Sequence, residues 1–302
     1  MHHTSFQSAF AGVYTASVTP FTADGSIDFE AFDRLLKRQA EADVDGIVLG
    51  GSTGEGSALS IDERFELVAR SKALLPASKT IVVGAGHNIT SEAVALQKAM
   101  EKSGAHFSLH VTPWYNKPTQ EGLYRHFRAI AENSPLPIII YNNPPRTCVD
   151  MHPETIARLL KSCSNICALK DSNLETTRVQ QLLTLREEHP NFSVVAGEDH
   201  LFFPVMALGG QGIIATSSNF APRLLVDLYK AMASNDLVTA RPLAWKLSRL
   251  AELMFWRTNP IPAKMALSFL GVIEPNFRLP LCAPSHQEST ELKERLTSEG
   301  WL

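Results

Sequence analysis

The sequence predicts an α/β fold, a closed (β/α)8 barrel with a helical extension at its carboxyl end. Eight short apolar or β-branched runs recur through the first 220 residues, at 13–18, 46–49, 80–83, 106–111, 137–141, 166–169, 192–196 and 212–215. Each has strand length rather than helix length. Between them lie segments of helical spacing, such as Phe29, Phe32, Leu35 and Leu36, or Phe65, Leu67 and Val68. Strands that alternate with helices form a parallel sheet, and eight such units are the number that closes a barrel. No GxGxxG follows the first run, so the signature of an open dinucleotide-binding sheet is missing.

Local signals support the helices in turn. Ser60 with Glu63, Thr90 with Ala93 and Thr119 with Glu121 are expected as caps or first-turn residues. Beyond about residue 221 the pattern becomes helix after helix, with a break at "TNPIPAK" (258–264). Residues 1–220 are therefore expected to form the barrel core, and 221–302 the last barrel helix and a small carboxy-terminal extension.

Composition narrows the class. Of 302 residues, 44% are hydrophobic and 20% charged, enough for a real core and against disorder. The net charge is -3 with no lysine or arginine block, so no electrostatic footprint for nucleic acid or anionic lipid exists, and small molecules are the expected partners. The stretch "MHHTSFQSAFAG" has no signal-peptide pattern. Nor does any run approach the roughly 18 apolar residues of a membrane span, so a cytoplasmic location is expected. Cys148, Cys163, Cys167 and Cys282 form no CxxC pair, and neither a disulfide framework, a zinc site nor a cofactor is indicated.

Active sites of such barrels lie at the carboxyl ends of the strands, so the residues after each run are read together. The sixth run ends on Lys170, within "LKDSN". Either it opens a solvated loop, or it is a functional amine. A lysine in a partly desolvated site becomes nucleophilic, and its characteristic use is attack on a carbonyl to form a Schiff base. After the second run stands "GGSTGEG" (50–56), where backbone amides and the hydroxyls of Ser52 and Thr53 can converge on a carboxylate; the plain alternative is a tight turn with a hydroxyl cap. Arg146, after "PP", offers a fork for a second carboxylate or a surface salt bridge. Tyr115 and Tyr141 stand at strand ends, as proton-relay phenols or as half-buried aromatics. An α-keto acid suits this set: its carbonyl condenses with Lys170, its carboxylate rests on Ser52 and Thr53, and its methyl carbon becomes acidic enough to leave as an enamine.

From "TASVTPF" (15–21) through "GSTGE", "TPWYNKP", "EGLYRHF", "YNNPPRT", "LKDSN" and "NPIPAK" (259–264), the chain resembles the dihydrodipicolinate synthase and N-acetylneuraminate lyase family of class I aldolases. The resemblance implies a (β/α)8 barrel with Lys170 as the Schiff-base lysine, Tyr141 over the imine, and Thr53 and Tyr115 completing a proton-relay triad. It implies further that Tyr115 is lent across a tight dimer interface, that the assembly is a homodimer or homotetramer, and that main chain near Ile214 faces the lysine amine. Arg146 matches the arginine that binds the carboxylate of aspartate semialdehyde in the synthases. Asp171, Ser172 and Asn173 after the lysine, and Asn143 and Trp114, depart from the synthase pattern. Lys170 followed by Asp171 and Ser172 resembles the catabolic 2-oxo acid aldolases more, and these departures leave pyruvate imine chemistry intact and the aldehyde open. Asn88 and Glu92 match the lysine-inhibition site of regulated synthases, whereas Ile61, Arg64 and Trp114 do not, so weak or absent inhibition by lysine is expected.

Three other readings compete with this one. The glycines of "LGGQG" (208–212) resemble a barrel phosphate site but precede the eighth run, at the wrong end. Glu198, Asp199 and His200 could suggest a metal, yet adjacent residues seldom converge on one ion, and a cap at Asp199 is the better expectation. A non-catalytic keto-acid sensor would not require the complete relay.

Overall fold

A computed structural model describes residues 10–173 and 175–302. Eight strands follow one another around a closed barrel in chain order: β1 (Gly12–Ala16), β2 (Gly46–Leu49), β3 (Thr80–Gly84), β4 (Phe107–Val111), β5 (Ile138–Asn142), β6 (Ile166–Asp171), β7 (Ser193–Ala196) and β8 (Gly212–Ala215). The expected fold class is what is found. Helices α1 (Phe29–Glu41), α2 (Ile61–Leu74), α3 (Thr90–Ser103), α4 (Gln120–Glu132), the short α5 (Pro144–Thr147), α6 (Pro153–Ser162), α7 (Thr176–Thr184) and α8 (Phe202–Ala207) fall between the strands. Four more follow β8, namely α9 (Pro222–Ala233), α10 (Leu237–Met254), α11 (Ile261–Phe269) and α12 (His286–Ser298). The described chain consists of two compact units, residues 10–12 with 82–214, and residues 13–81 with 215–302.

In the first unit, β4, β5, β6 and β7 pair in parallel, with Tyr141 beside Lys170 and Lys170 beside Val195. One apolar cluster joins Ile138 and Ile140 of β5, Leu169 of β6 and Val194 of β7 to Phe127 and Ile130 of α4, Ile156 and Leu159 of α6, and Leu182 of α7. Each such fully buried side chain contributes about 1.5–3 kcal/mol. Successive strand residues point to opposite faces. Because Ile140 and Leu169 face the helices, their neighbours Tyr141 and Lys170 face the barrel interior.

The apolar run at 166–169 is shorter than the strand it belongs to, since β6 continues through Lys170 and Asp171. Their main chains remain in the ladder, opposite Tyr141 and Asn142 on one side and Val195 and Ala196 on the other. Hydrogen bonding, not side-chain polarity, decides where the strand ends. Ser60 and Glu63 make the expected capping box, and Thr119 caps α4 through the Gly122 amide. Thr90 does not cap. Ile89 takes the cap position, and the Thr90 hydroxyl turns instead to His126 Nδ1 at 2.9 Å.

That histidine belongs to a buried pair. His110 on β4 bonds Gln97 Oε1 through Nε2 at 2.9 Å. Burial pulls the His110 imidazole down from 6.5 to about 3, and the charge of His126 adds to this. Burial likewise takes His126 from 6.5 down to about 4, with His87 as the second cause. Unfolded, both rings return to about 6.5. Between that value and about pH 4 the unfolded chain binds protons that the native chain refuses, so stability is complete above pH 6.5 and declines as pH falls through this window. Urea titrations at pH 7.5 and pH 4.5 are expected to show the decline, and His126→Gln should reduce it. An unchanged pH dependence in that variant would refute the assignment.

In the second unit β1 pairs with β2, and the face of α1 that carries Phe32, Leu35 and Leu36 is buried. Asp28 caps α1 through the Ala31 amide at 2.9 Å. Thr15 of β1 donates to Gln39 of α1 at 2.7 Å, and Gln39 donates in turn to the Ser218 carbonyl at 3.0 Å. The helices after β8 belong to this same unit. Among the described residues no helix is long and apolar enough to cross a membrane.

Candidate active site

Lys170 is 5% exposed, and its Nζ lies 4.2 Å from the centroid of the Tyr141 ring. Adjacent strands in register, β5 and β6, set this contact. Tyr141 is also 5% exposed, and its phenol oxygen accepts a bond from Asn143 Nδ2 at 2.5 Å. A mostly dehydrated amine beside a phenol can attack a carbonyl and has a proton carrier at hand.

Immediately after the lysine, Asp171 is buried and anchors the strand end. Arg178 Nε donates to Asp171 Oδ2 at 2.7 Å, Asn142 Nδ2 to Asp171 Oδ1 at 2.8 Å, and the Asn173 amide to the same oxygen at 3.2 Å. Burial pushes the Asp171 carboxyl up, opposed first by the Arg178 charge and then by these hydrogen bonds. Arg178 also holds the Met151 carbonyl at 2.5 Å. Residues that follow the lysine in sequence thus lock the carboxyl ends of β5 and β6 together.

Glu198 is a residue of this region that the sequence offers only as a metal candidate. It follows β7, and burial pushes its carboxyl up, opposed by the Ser172 hydroxyl and by the nearby charge of Lys170. The approach of β6 to β7 depends on Gly197, where a Cβ would lie 2.3 Å from Ser172 Oγ and 2.7 Å from the Asp171 carbonyl oxygen. Its sequence signal, "AGEDH", names an acid at a strand end but not its distance from Lys170. Among the described residues no group of His, Cys, Asp and Glu could hold a metal, and Asp199 opens a single 3-10 turn (Asp199–Leu201) with Glu198 in the cap position.

Arg146 lies on α5 with its side chain exposed, two residues before Cys148 in the left-handed conformation. Tyr115 is 90% exposed at φ +75, a conformation that a non-glycine residue rarely takes. The structure therefore turns this phenol outward, away from the interior that Tyr141 occupies. Ile214 on β8 is 1% exposed.

The second unit carries Ser52 and Thr53, in the loop that leaves β2. Gly56 folds back so closely that a Cβ there would stand 1.9 Å from the Gly50 carbonyl oxygen. Ser52 is half-buried and Thr53 is 2% exposed. Thr53 Oγ1 accepts from Asn259 Nδ2 at 2.9 Å and lies 3.3 Å from Thr216 Oγ1. Two residues on, Glu55 adopts the left-handed conformation and meets Lys264 of α11 at 2.6 Å. Lys264 is fully buried, donates also to the Thr19 carbonyl at 2.9 Å, and stands over the rings of Phe21 and Phe277. Burial pulls its ammonium down, and Glu55 opposes this. The second oxygen of Glu55 accepts the Arg278 amide at 3.0 Å. The "TNPIPAK" break thus supplies two partners of the Thr53 loop, Asn259 and Lys264.

Comparisons with known proteins agree with this picture. Residues 9–299 match the model of the dihydrodipicolinate synthetase family. A 4-hydroxy-tetrahydrodipicolinate synthase of Fervidobacterium nodosum is 42% identical over 95% of this chain and 97% of its own. The crystal structure of the Thermotoga maritima dihydrodipicolinate synthase superposes with a TM-score of 0.93 at 39% identity, over 97% of this chain and 99% of that one. The Acinetobacter baumannii dihydrodipicolinate synthase, solved in complex with pyruvate, gives 0.91 at 35% identity over 97% and 99%.

Proposed function

The chain belongs to the dihydrodipicolinate synthetase family, and from that membership we propose that it is a lyase of the class I aldolase type, condensing pyruvate with L-aspartate semialdehyde as a 4-hydroxy-tetrahydrodipicolinate synthase does. The observation that carries the chemistry is the Lys170 amine, buried inside the barrel against the Tyr141 ring. Lys170 Nζ adds to the pyruvate carbonyl, and loss of water leaves an iminium. That iminium draws electrons from the methyl carbon, which gives up a proton to form an enamine. The enamine carbon then bonds the aldehyde carbon, whose oxygen takes a proton. Ser52 and Thr53 receive the pyruvate carboxylate, Arg146 the carboxylate of the aldehyde, and the main chain at Ile214 faces the amine. The enzyme acts in the cytoplasm as a homodimer or homotetramer.

Borohydride trapping with pyruvate, mapped by mass, together with an aspartate semialdehyde assay, tests the proposal. An adduct on Lys170 with fast condensation is the expected result. An adduct without condensation would favour a catabolic 2-oxo acid aldolase, the reading that Asp171, Ser172 and Asn173 support. Absence of any adduct would overturn the mechanism.

The exposure and strained backbone of Tyr115 support its use in a neighbouring subunit, where its phenol completes a relay with Thr53 and Tyr141. Tyr115→Phe should slow turnover about 100-fold with an unchanged melting temperature, and a near-normal rate would remove Tyr115 from the mechanism. Arg64 is buried, with its guanidinium on the carbonyls of Gly56, Leu59 and Ser60. It is not disposed to bind an effector carboxylate. Lysine at micromolar concentration is expected to leave the rate unchanged, and a clear micromolar inhibition curve would contradict this.

A further inference from the structure

Asn143 is 2% exposed and uses both ends of its amide. Its Oδ1 accepts the Arg146 amide at 3.2 Å, as the cap of α5, and its Nδ2 donates to Tyr141 Oη at 2.5 Å. The first bond decides the orientation of the amide, because an amide N–H can be satisfied only by the carbonyl end. The Tyr141 oxygen therefore faces a donor, and one of its lone pairs is occupied. Its own proton must point elsewhere.

We propose that Asn143 is a positioning residue for the Schiff-base chemistry, holding Tyr141 as a proton donor toward the departing oxygen of the carbinolamine and stabilising the phenolate left behind. The inference rests on the reading of Tyr141 given above. In the step concerned, the carbinolamine formed by Lys170 and pyruvate loses its hydroxyl. The C–O bond breaks, the departing oxygen takes the Tyr141 proton and leaves as water, and the nitrogen lone pair closes the C=N bond. An iminium and a phenolate result. A donor already in place at Oη stabilises that phenolate without reorganisation, which is how preorganised hydrogen bonds lower a barrier. The same side chain holds the first turn of α5, so the loop bearing Arg146 and the phenol above Lys170 are set by one residue.

Two substitutions separate the donor from the cap. Asn143→Asp keeps the capping oxygen and replaces the donor with an acceptor, whereas Asn143→Ser keeps a capping hydroxyl too short to reach Tyr141. Expected results are a kcat lowered about 10-fold in Asn143→Ser and further in Asn143→Asp, with KM for pyruvate within about 2-fold and an unchanged melting temperature. In a Tyr141→Phe background neither substitution should lower kcat again, since the acceptor has gone. Unchanged kcat in both single variants, or losses that multiply with that of Tyr141→Phe, would overturn the role of Asn143. Should Tyr141→Phe alone keep wild-type turnover, the reading of Tyr141 fails instead, and the two failures are told apart.

Discussion

Lys170→Ala is expected to lose the borohydride-reducible pyruvate adduct completely and to lower turnover on the order of 10⁴-fold or more, while the barrel stays folded. The chemical reason is that no other amine shares its position. Among the residues around it, neither the Tyr141 phenol nor the Glu198 carboxyl can form an imine. The structural reason is that Lys170 contributes to the ladder through its main chain, beside Tyr141 and Val195, and an alanine keeps those bonds. Intact-mass analysis after reduction, with a melting curve on the same sample, provides the check. A reduced adduct in Lys170→Ala would show that another lysine carries the chemistry, and a lost transition would show that the lysine is structural.

Lys264→Met is expected to cost about 3–5 kcal/mol, because it strands Glu55 as a buried charge without its cation. Lys264 is fully buried at 2.6 Å from that carboxylate, so solvent does not screen the loss. What remains on Glu55 is the Arg278 amide and the weaker pull of the Arg278 guanidinium charge. Adding Glu55→Gln to Lys264→Met removes the stranded charge and should recover part of the loss. A denaturant midpoint measured for the three variants makes the comparison, and equal midpoints for Lys264→Met and wild type would show the pair to be energetically idle. Since Glu55 stands two residues beyond Thr53, KM for pyruvate should rise in Lys264→Met as well.

Barrel class, the order of strands and helices, and the place of Lys170 near the carboxyl end of the sixth strand were legible in the chain itself. Apolar periodicity is a local property, and eight alternations admit few closed arrangements. Capping at Ser60 and Thr119 was legible for the same reason, because the partner groups lie within three residues. Thr90 shows the limit: its hydroxyl could reach a local amide or a distant imidazole, and His126, remote in sequence, took it. Nor does sequence separation reveal that Asn259 reaches Thr53, that Lys264 neutralises Glu55, or that Glu198 stands near Lys170. By itself the sequence determined which candidate groups stand at strand ends, a lysine, its phenols and a hydroxyl loop, because the spacing of the strands is periodic. Only the tertiary structure decided how those groups are held, because hydrogen-bond partners, burial and the amide orientation of Asn143 depend on strand register and on which remote side chains the fold brings within about 3 Å.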